Sequence, residues 1–81
     1  MTVKVNVYDK SKYEVDSVKI AEVEYTDVAC VDVFAGEQFR EGYLDSFGHD
    51  LDPFNEYARI QFEDGEHSVF RNSFVDIFRV A

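Results

Sequence analysis

The sequence predicts a mainly β protein, a small antiparallel barrel of five or six strands with one or two short helical turns. Apolar residues recur with a period of two along most of the chain, as in "TVKVNVY" and "EYARIQF", and that spacing puts alternate side chains on one face of a strand. Eight Phe and five Tyr in 81 residues supply large side chains for a core. One Pro and four Gly leave few residues for connections, so the elements follow closely on one another.

The elements follow in order. In "TVKVNVY", Val3, Val5 and Val7 share a face, with Lys4 and Asn6 opposite. "DKSKYEVD" is polar and turn-like. "SVKIAEVEY" predicts a second strand with Val18 and Ile20 on one face; its alternation slips around Ala21, so that Val23 and Tyr25 continue the buried side through a bulge. "VACVDVFA" is apolar on nearly both faces and predicts the central strand. After Gly36, "GEQFREGYLDSF" alternates Phe39, Glu41 and Tyr43 against Arg40 and Leu44. "EYARIQF" sets Ala58, Ile60 and Phe62 against Tyr57, Arg59 and Gln61. Asp64-Gly65 then marks a hairpin, because Gly accepts the positive φ of a tight turn. "HSVF" closes it and "FVDIFRV" is the last strand. "DLDPFNEY" predicts one helical turn with Asp52 as N-cap and Pro53 in the first helical position. "RNSF" predicts a second, of 3₁₀ type.

Length and cysteine use bound the class. Residues 1–81 make a single small domain, near the lower limit for a self-sufficient core. Cys30 is the only cysteine, which excludes an intrachain disulfide and a cysteine-based zinc site in one chain. Flanked by Ala29 and Val31, it is expected to be a buried small hydrophobe. A lone thiol, no apolar run of membrane-spanning length and no signal-peptide core at the start predict a cytoplasmic protein that does not enter a membrane.

Charge is the most informative feature. The chain carries −9, from 17 acids and 8 bases. Residues 1–26 sum to −1 and residues 67–81 to +1, so the −9 of residues 27–66, eleven acids against Arg40 and Arg59, accounts for the excess. Such a field repels nucleic acid and membrane surfaces and attracts basic partners.

The chemistry of sites is thin. "DSFGHDLDPFNE", Asp45 to Glu56, holds four carboxylates, a histidine and an asparagine. A Ca²⁺ loop needs about six oxygens in fixed phase and a Gly at its sharp turn. Asp50-x-Asp52 begins like one, but Pro53 follows, Asn55 is out of phase and the sixth position holds no Gly. His49 and His67 are the only histidines, and nothing in the sequence brings them together as a zinc centre would require. Ser46, Ser68 and Ser73 lack a nucleophile-elbow context, and no Gly-rich phosphate loop exists. No catalytic residue, metal ligand or cofactor is nominated, and the chain reads as a non-enzyme.

"ARIQFEDGEHSVFRNSFVDIF" resembles the C-terminal third of the Src-homology-3-like small barrels, in which a hairpin leads through a 3₁₀ turn into a final strand. Phe74 matches the aromatic after the turn, and Val75 and Ile77 the strand that follows. The resemblance implies a fold and carries no function with it. Peptide-binding members use a Trp in the ligand groove and a Pro in the last turn. This chain has no Trp, and Arg71 stands where the Pro would be.

What remains is a recognition surface made of the acids themselves. Glu37, Glu41, Asp45, Asp50, Asp52, Glu56, Glu63, Asp64 and Glu66 recur every few residues, and on a small barrel they are expected to share one hemisphere. Phe47 and Phe54 interleave with them as aromatic anchors. These eleven residues are the expected partner-binding set. The expected partner is a basic, nucleic-acid-binding protein or effector complex, whose site the acids occupy by mimicking nucleic acid, as phage and mobile-element antagonists of restriction or CRISPR systems do. Direct nucleic-acid binding is not expected. The alternative is a β-barrel adaptor or subunit, a homodimer among its forms, in which the acids serve only solubility.

Overall fold

The computed structural model describes residues 1–38, 48 and 50–80. Within these the chain is mainly β, with two three-stranded antiparallel sheets. The strands are β1 (Thr2–Tyr8), β2 (Lys19–Tyr25), β3 (Val28–Ala35), β4 (Glu56–Phe62), β5 (His67–Arg71) and β6 (Val75–Val80). Two single 3₁₀ turns, Gly36–Gln38 and Asn72–Phe74, are the helical content. The first sheet has the order β2-β1-β6 and the second β3-β4-β5.

Period-two patterning fixes which faces meet. Val3, Val5 and Val7 of β1 stand opposite Tyr25, Val23 and Ala21 of β2, and Val5 and Val7 opposite Ile77 and Val75 of β6. In the second sheet Ala58 and Ile60 of β4 stand opposite Val33 and Val31 of β3, and Ala58 opposite Phe70 of β5. Val3, Val5, Val28, Ala58, Ile60, Phe70 and Val75 form one buried cluster drawn from both sheets. Fully burying one such side chain is worth about 1.5–3 kcal/mol, so this cluster is what holds the sheets face to face. Tyr25 packs on it, its ring 5.6 Å from that of Phe62 and 6.3 Å from that of Phe70.

β2 passes into β3 at a corner made by Thr26 and Asp27. Asp27 has φ 57°, the left-handed region that aspartate tolerates better than most residues. The last 3₁₀ turn carries β5 into β6, as "RNSF" predicted. The loop between β1 and β2 is pinned beside it. The Lys12 amide donates to Ser73 O at 2.7 Å, and its ammonium reaches Val75 O at 2.9 Å and Asp76 at 3.2 Å.

Among the described residues the two sheets are not closed into a barrel, and β2 and β3 each have one hydrogen-bonded neighbour strand. Three expectations need correcting. "VACVDVFA" is an edge strand, and β4 is the central one. An apolar run by itself does not report how many neighbours a strand has. Val33 is 51% exposed, and Cys30 is exposed, not buried. A bulge at Ala29 turns Cys30 to the outer face, opposite Gln61. "DLDPFNEY" forms a β-turn instead of a helical one. Asn55 N donates to Asp52 O at 3.1 Å, and Phe54 N to Asp52 Oδ1 at 2.9 Å, so Asp52 caps a turn that goes straight into β4.

The bulge in β2 is present, at Ile20, where the register shifts between Val7 and Tyr8. Val23 faces the core side yet is 37% exposed. The strand expected over "GEQFREGYLDSF" begins as a 3₁₀ turn, and its remainder lies outside the described residues.

Candidate acidic interface

The acids gather at the two ends of β4. At the first end a close backbone contact sets the geometry. The Gly36 amide donates to Asn55 O at 2.7 Å. A β-carbon at Gly36 would lie 2.0 Å from Asp52 O, so only glycine permits this approach. The Asp52 amide in turn donates to Tyr57 Oη at 2.8 Å, and Tyr57 is buried. The 52–55 turn is thus clamped between β3 and β4, and it presents Asp50, Asp52 and Glu56 beside Glu37, all exposed. Phe54, at the turn's tip, is 95% exposed. Beneath lies a cleft of about 400 Å³ with Ile20, Tyr57, Phe74 and Val75 in its walls and Asp50 and Asp52 among its lining residues. Arg71 also lines it, bonded to Asn55 Oδ1 at 3.1 Å and stacked 4.9 Å from the ring of Phe74.

At the second end a tight hairpin connection, Glu63–Glu66, joins β4 to β5. The Gly65 amide donates to Phe62 O at 3.1 Å, and Gly65 has φ 92°, the left-handed position that follows a turn in such loops. The Glu66 amide donates to Asp64 Oδ1 at 2.9 Å. The Glu63 amide bonds the carbonyl of Asp27, which brings a further carboxylate to this end. Seven residues of β4 separate the two ends, about 20 Å at the usual rise of a strand.

The described acids of the expected set make no ion pair, a property they share with Asp9, Glu14, Glu24 and Asp27 but not with the four acids that do. Among the described residues, the ion pairs use Glu22 with Lys4 and Lys19, Asp16 with Lys10, Asp76 with Lys12, and Asp32 with Arg59. None involves Glu37, Asp50, Asp52, Glu56, Glu63, Asp64 or Glu66. Among the described residues, lysines and arginines pair with acids elsewhere, and Arg71, at the first end of β4, bonds Asn55 instead of a carboxylate. Between the ends, Asp32 and Arg59 cancel each other on the outer face, with nitrogen–oxygen distances of 3.1 and 3.0 Å and Arg59 4.2 Å from the ring of Phe34.

The expected partner-binding set is therefore split. Glu37, Asp50, Asp52, Phe54 and Glu56 come together at one end, and Glu63, Asp64 and Glu66 at the other. Glu41, Asp45 and Phe47 lie outside the described residues. Among the described residues the acids of the set thus gather at two poles, one at each end of β4. Sequence reasoning missed Asp27, whose only signal was an aspartate between two strand runs. It also missed Tyr13 and Val15, 75% and 106% exposed on the β1–β2 loop, which periodicity had assigned to a polar turn. Among the described residues no three His, Cys, Asp or Glu side chains are grouped to hold a metal ion, and no helix is long and apolar enough to cross a membrane.

Comparison with known proteins gives no match: no family model, no curated protein and no solved structure is significantly similar to the chain.

Proposed function

We propose that this is a non-enzymatic acidic binding protein that occupies a basic nucleic-acid-binding site on a partner protein, as an inhibitor acting through nucleic-acid mimicry. The observation that carries this reading is the division of the acids into two kinds. On β2, β3 and β6, Glu22, Asp32 and Asp76 are partnered by lysine or arginine and Glu24 alone is not, whereas among the described residues the acids at the two ends of β4 carry no ion pair. Unpaired exposed carboxylates repel one another and cost the fold some stability, which a partner's lysines and arginines would offset. The same field steers a basic partner toward the poles and accelerates encounter. Phe54, fully in solvent between carboxylates, supplies the apolar anchor that charge alone lacks.

An inhibitor of a restriction or CRISPR effector, of phage or mobile-element origin and working in the cytoplasm, fits this chemistry, since such effectors carry basic grooves for nucleic acid. The finer architecture proposed is a Src-homology-3-like small barrel, supported by the return of the last strand through a 3₁₀ turn to pair with β1.

The test is competition. The protein is immobilised, used to capture its partner from the source cell, and the captured partner is titrated with labelled DNA or RNA. Displacement of nucleic acid by the free protein, weakening as salt rises from 50 to about 500 mM, is expected. Undiminished nucleic-acid binding in the presence of the protein, or displacement indifferent to salt, rejects mimicry. The second reading, an adaptor without mimicry, draws on Val31 and Val33, which are exposed along the free edge of β3. It predicts capture of a partner that binds no nucleic acid.

A further inference from the structure

The edge of the first sheet carries an inference that goes beyond the acidic poles, since none of its residues belongs to them. β2 is bonded to β1 on one side, and among the described residues its backbone makes no hydrogen bond on the other. Soluble proteins blunt such edges with lysines, proline, bulges or very short strands, because an unpaired strand recruits another. β2 has seven residues, no proline, and its one bulge and one lysine at the very start, Ile20 and Lys19. Among the described residues Ala21 to Tyr25 is left as a regular, open edge, and every residue of β2 except Tyr25 is exposed.

The side chains of this edge state what would fit it. Ala21 and Val23 lie on the core-side face, and Glu22 and Glu24 on the outer face. On its bonded side β2 already holds a strand of matching chemistry. β1 sets Val5 and Val7 against Val23 and Ala21, and Lys4 against Glu24, with the Lys4 ammonium 3.2 Å from Glu22. Glu24 itself makes no ion pair among the described residues. A strand added to the open side meets the same aliphatic and acidic rows, so charge complementarity selects alternating aliphatic and basic residues.

We propose that the open edge of β2 receives an extended segment of a partner protein with alternating aliphatic and lysine or arginine residues, which adds a fourth, antiparallel strand to the first sheet. A second copy of this chain is a poor occupant. Antiparallel pairing of two β2 strands about a two-fold axis keeps like faces together and sets the Glu22–Glu24 rows side by side, and like charges opposite one another are destabilising.

The experiment uses the full chain and three labelled heptapeptides of valine with lysine or glutamate: alternating Val-Lys, the same composition with its lysines in one block, and alternating Val-Glu. Fluorescence anisotropy reads affinity, and amide hydrogen exchange reads location. The alternating basic peptide is expected to bind about tenfold tighter than the blocked one, the advantage of two or three cross-strand pairs, and to slow exchange within Lys19–Tyr25. Glu24→Lys, at an exposed position free of ion pairs, should reverse the preference toward the alternating acidic peptide; circular dichroism confirms its fold. Three results overturn the proposal: equal affinity for the alternating and blocked peptides, absence of binding, or protection at Asp50–Glu56 or Glu63–Glu66 in place of β2. A dimer of the free chain with β2 already protected also overturns it, in favour of the second copy. Loss of nucleic-acid competition leaves these readouts unmoved, so the two readings fail separately.

Discussion

The amide of Gly36 donates to the carbonyl of Asn55 at 2.7 Å, and that one bond brings the end of β3 against the turn that opens β4. Everything at the first acidic pole depends on it. Glu37 follows the donor directly, and Asp52 and Glu56 flank the acceptor. The contact exists because residue 36 has no side chain.

Gly36→Ala therefore should not be a mild change. Its β-carbon would meet the backbone of Asp52, which cannot swing aside as a side-chain tip can. The expected cost is about 1–3 kcal/mol, the usual penalty of forced overpacking, read as a lowered midpoint in urea unfolding. Gly65→Ala is strained for a different reason, its positive φ, and has open space around it. Only the first substitution should also disturb partner binding at the Asp52 end.

Phe54→Ala should separate binding from folding. The side chain is almost wholly in solvent, so stability should change by less than about 0.5 kcal/mol. If Phe54 anchors the interface, affinity for the captured partner should fall by about tenfold or more. Calorimetry on the variant and the parent checks both halves.

The pH dependence of stability has two named contributors. Hydrogen bonds from Lys19 and Lys4 hold the Glu22 carboxyl below its ordinary value of about 4.3. A lowered folded value means that its contribution is complete above the ordinary value and disappears as pH falls through the folded one. Glu22→Gln should thus lower the thermal midpoint at neutral pH, with the difference from the parent vanishing in acid. Burial raises the Tyr25 phenol above about 10. Its contribution is complete below that value and is lost as pH climbs through the raised one, so Tyr25→Phe should flatten the alkaline limb of the same profile.

Much of the fold was legible because strand faces are written in alternation. Val3, Val5 and Val7, or Ala58 and Ile60, announce a buried face whatever else the chain does. How many neighbours a strand has is not written there. "VACVDVFA" reads as doubly buried and is an edge strand, because its partners are fixed by the corner at Asp27 and by the bulge at Ala29, both set by backbone geometry. Cys30 was misplaced by the same error. Asp52-Pro53 suits the start of a helix and of a turn equally well, and the bonds of Asn55 and Tyr57 to Asp52 decide for the turn. The split of the acids could have been foreseen. Glu56 opens a strand of seven residues and Glu63 follows it, and a strand of that length keeps its ends about 20 Å apart. Which acids go unpaired is a matter of which lysines lie across the sheet, and that register is invisible before the fold is known.

The most direct test of the central claim is displacement of nucleic acid from the captured partner by pole-neutralised variants. One carries Asp50→Asn, Asp52→Asn and Glu56→Gln, the other Glu63→Gln, Asp64→Asn and Glu66→Gln; asparagine keeps the acceptors that cap both turns. Each variant should remain folded and need about tenfold more protein for half-displacement at low salt, a gap that closes as salt screens the charges. Full potency in both variants at low salt would contradict the claim that the two poles are the binding surface.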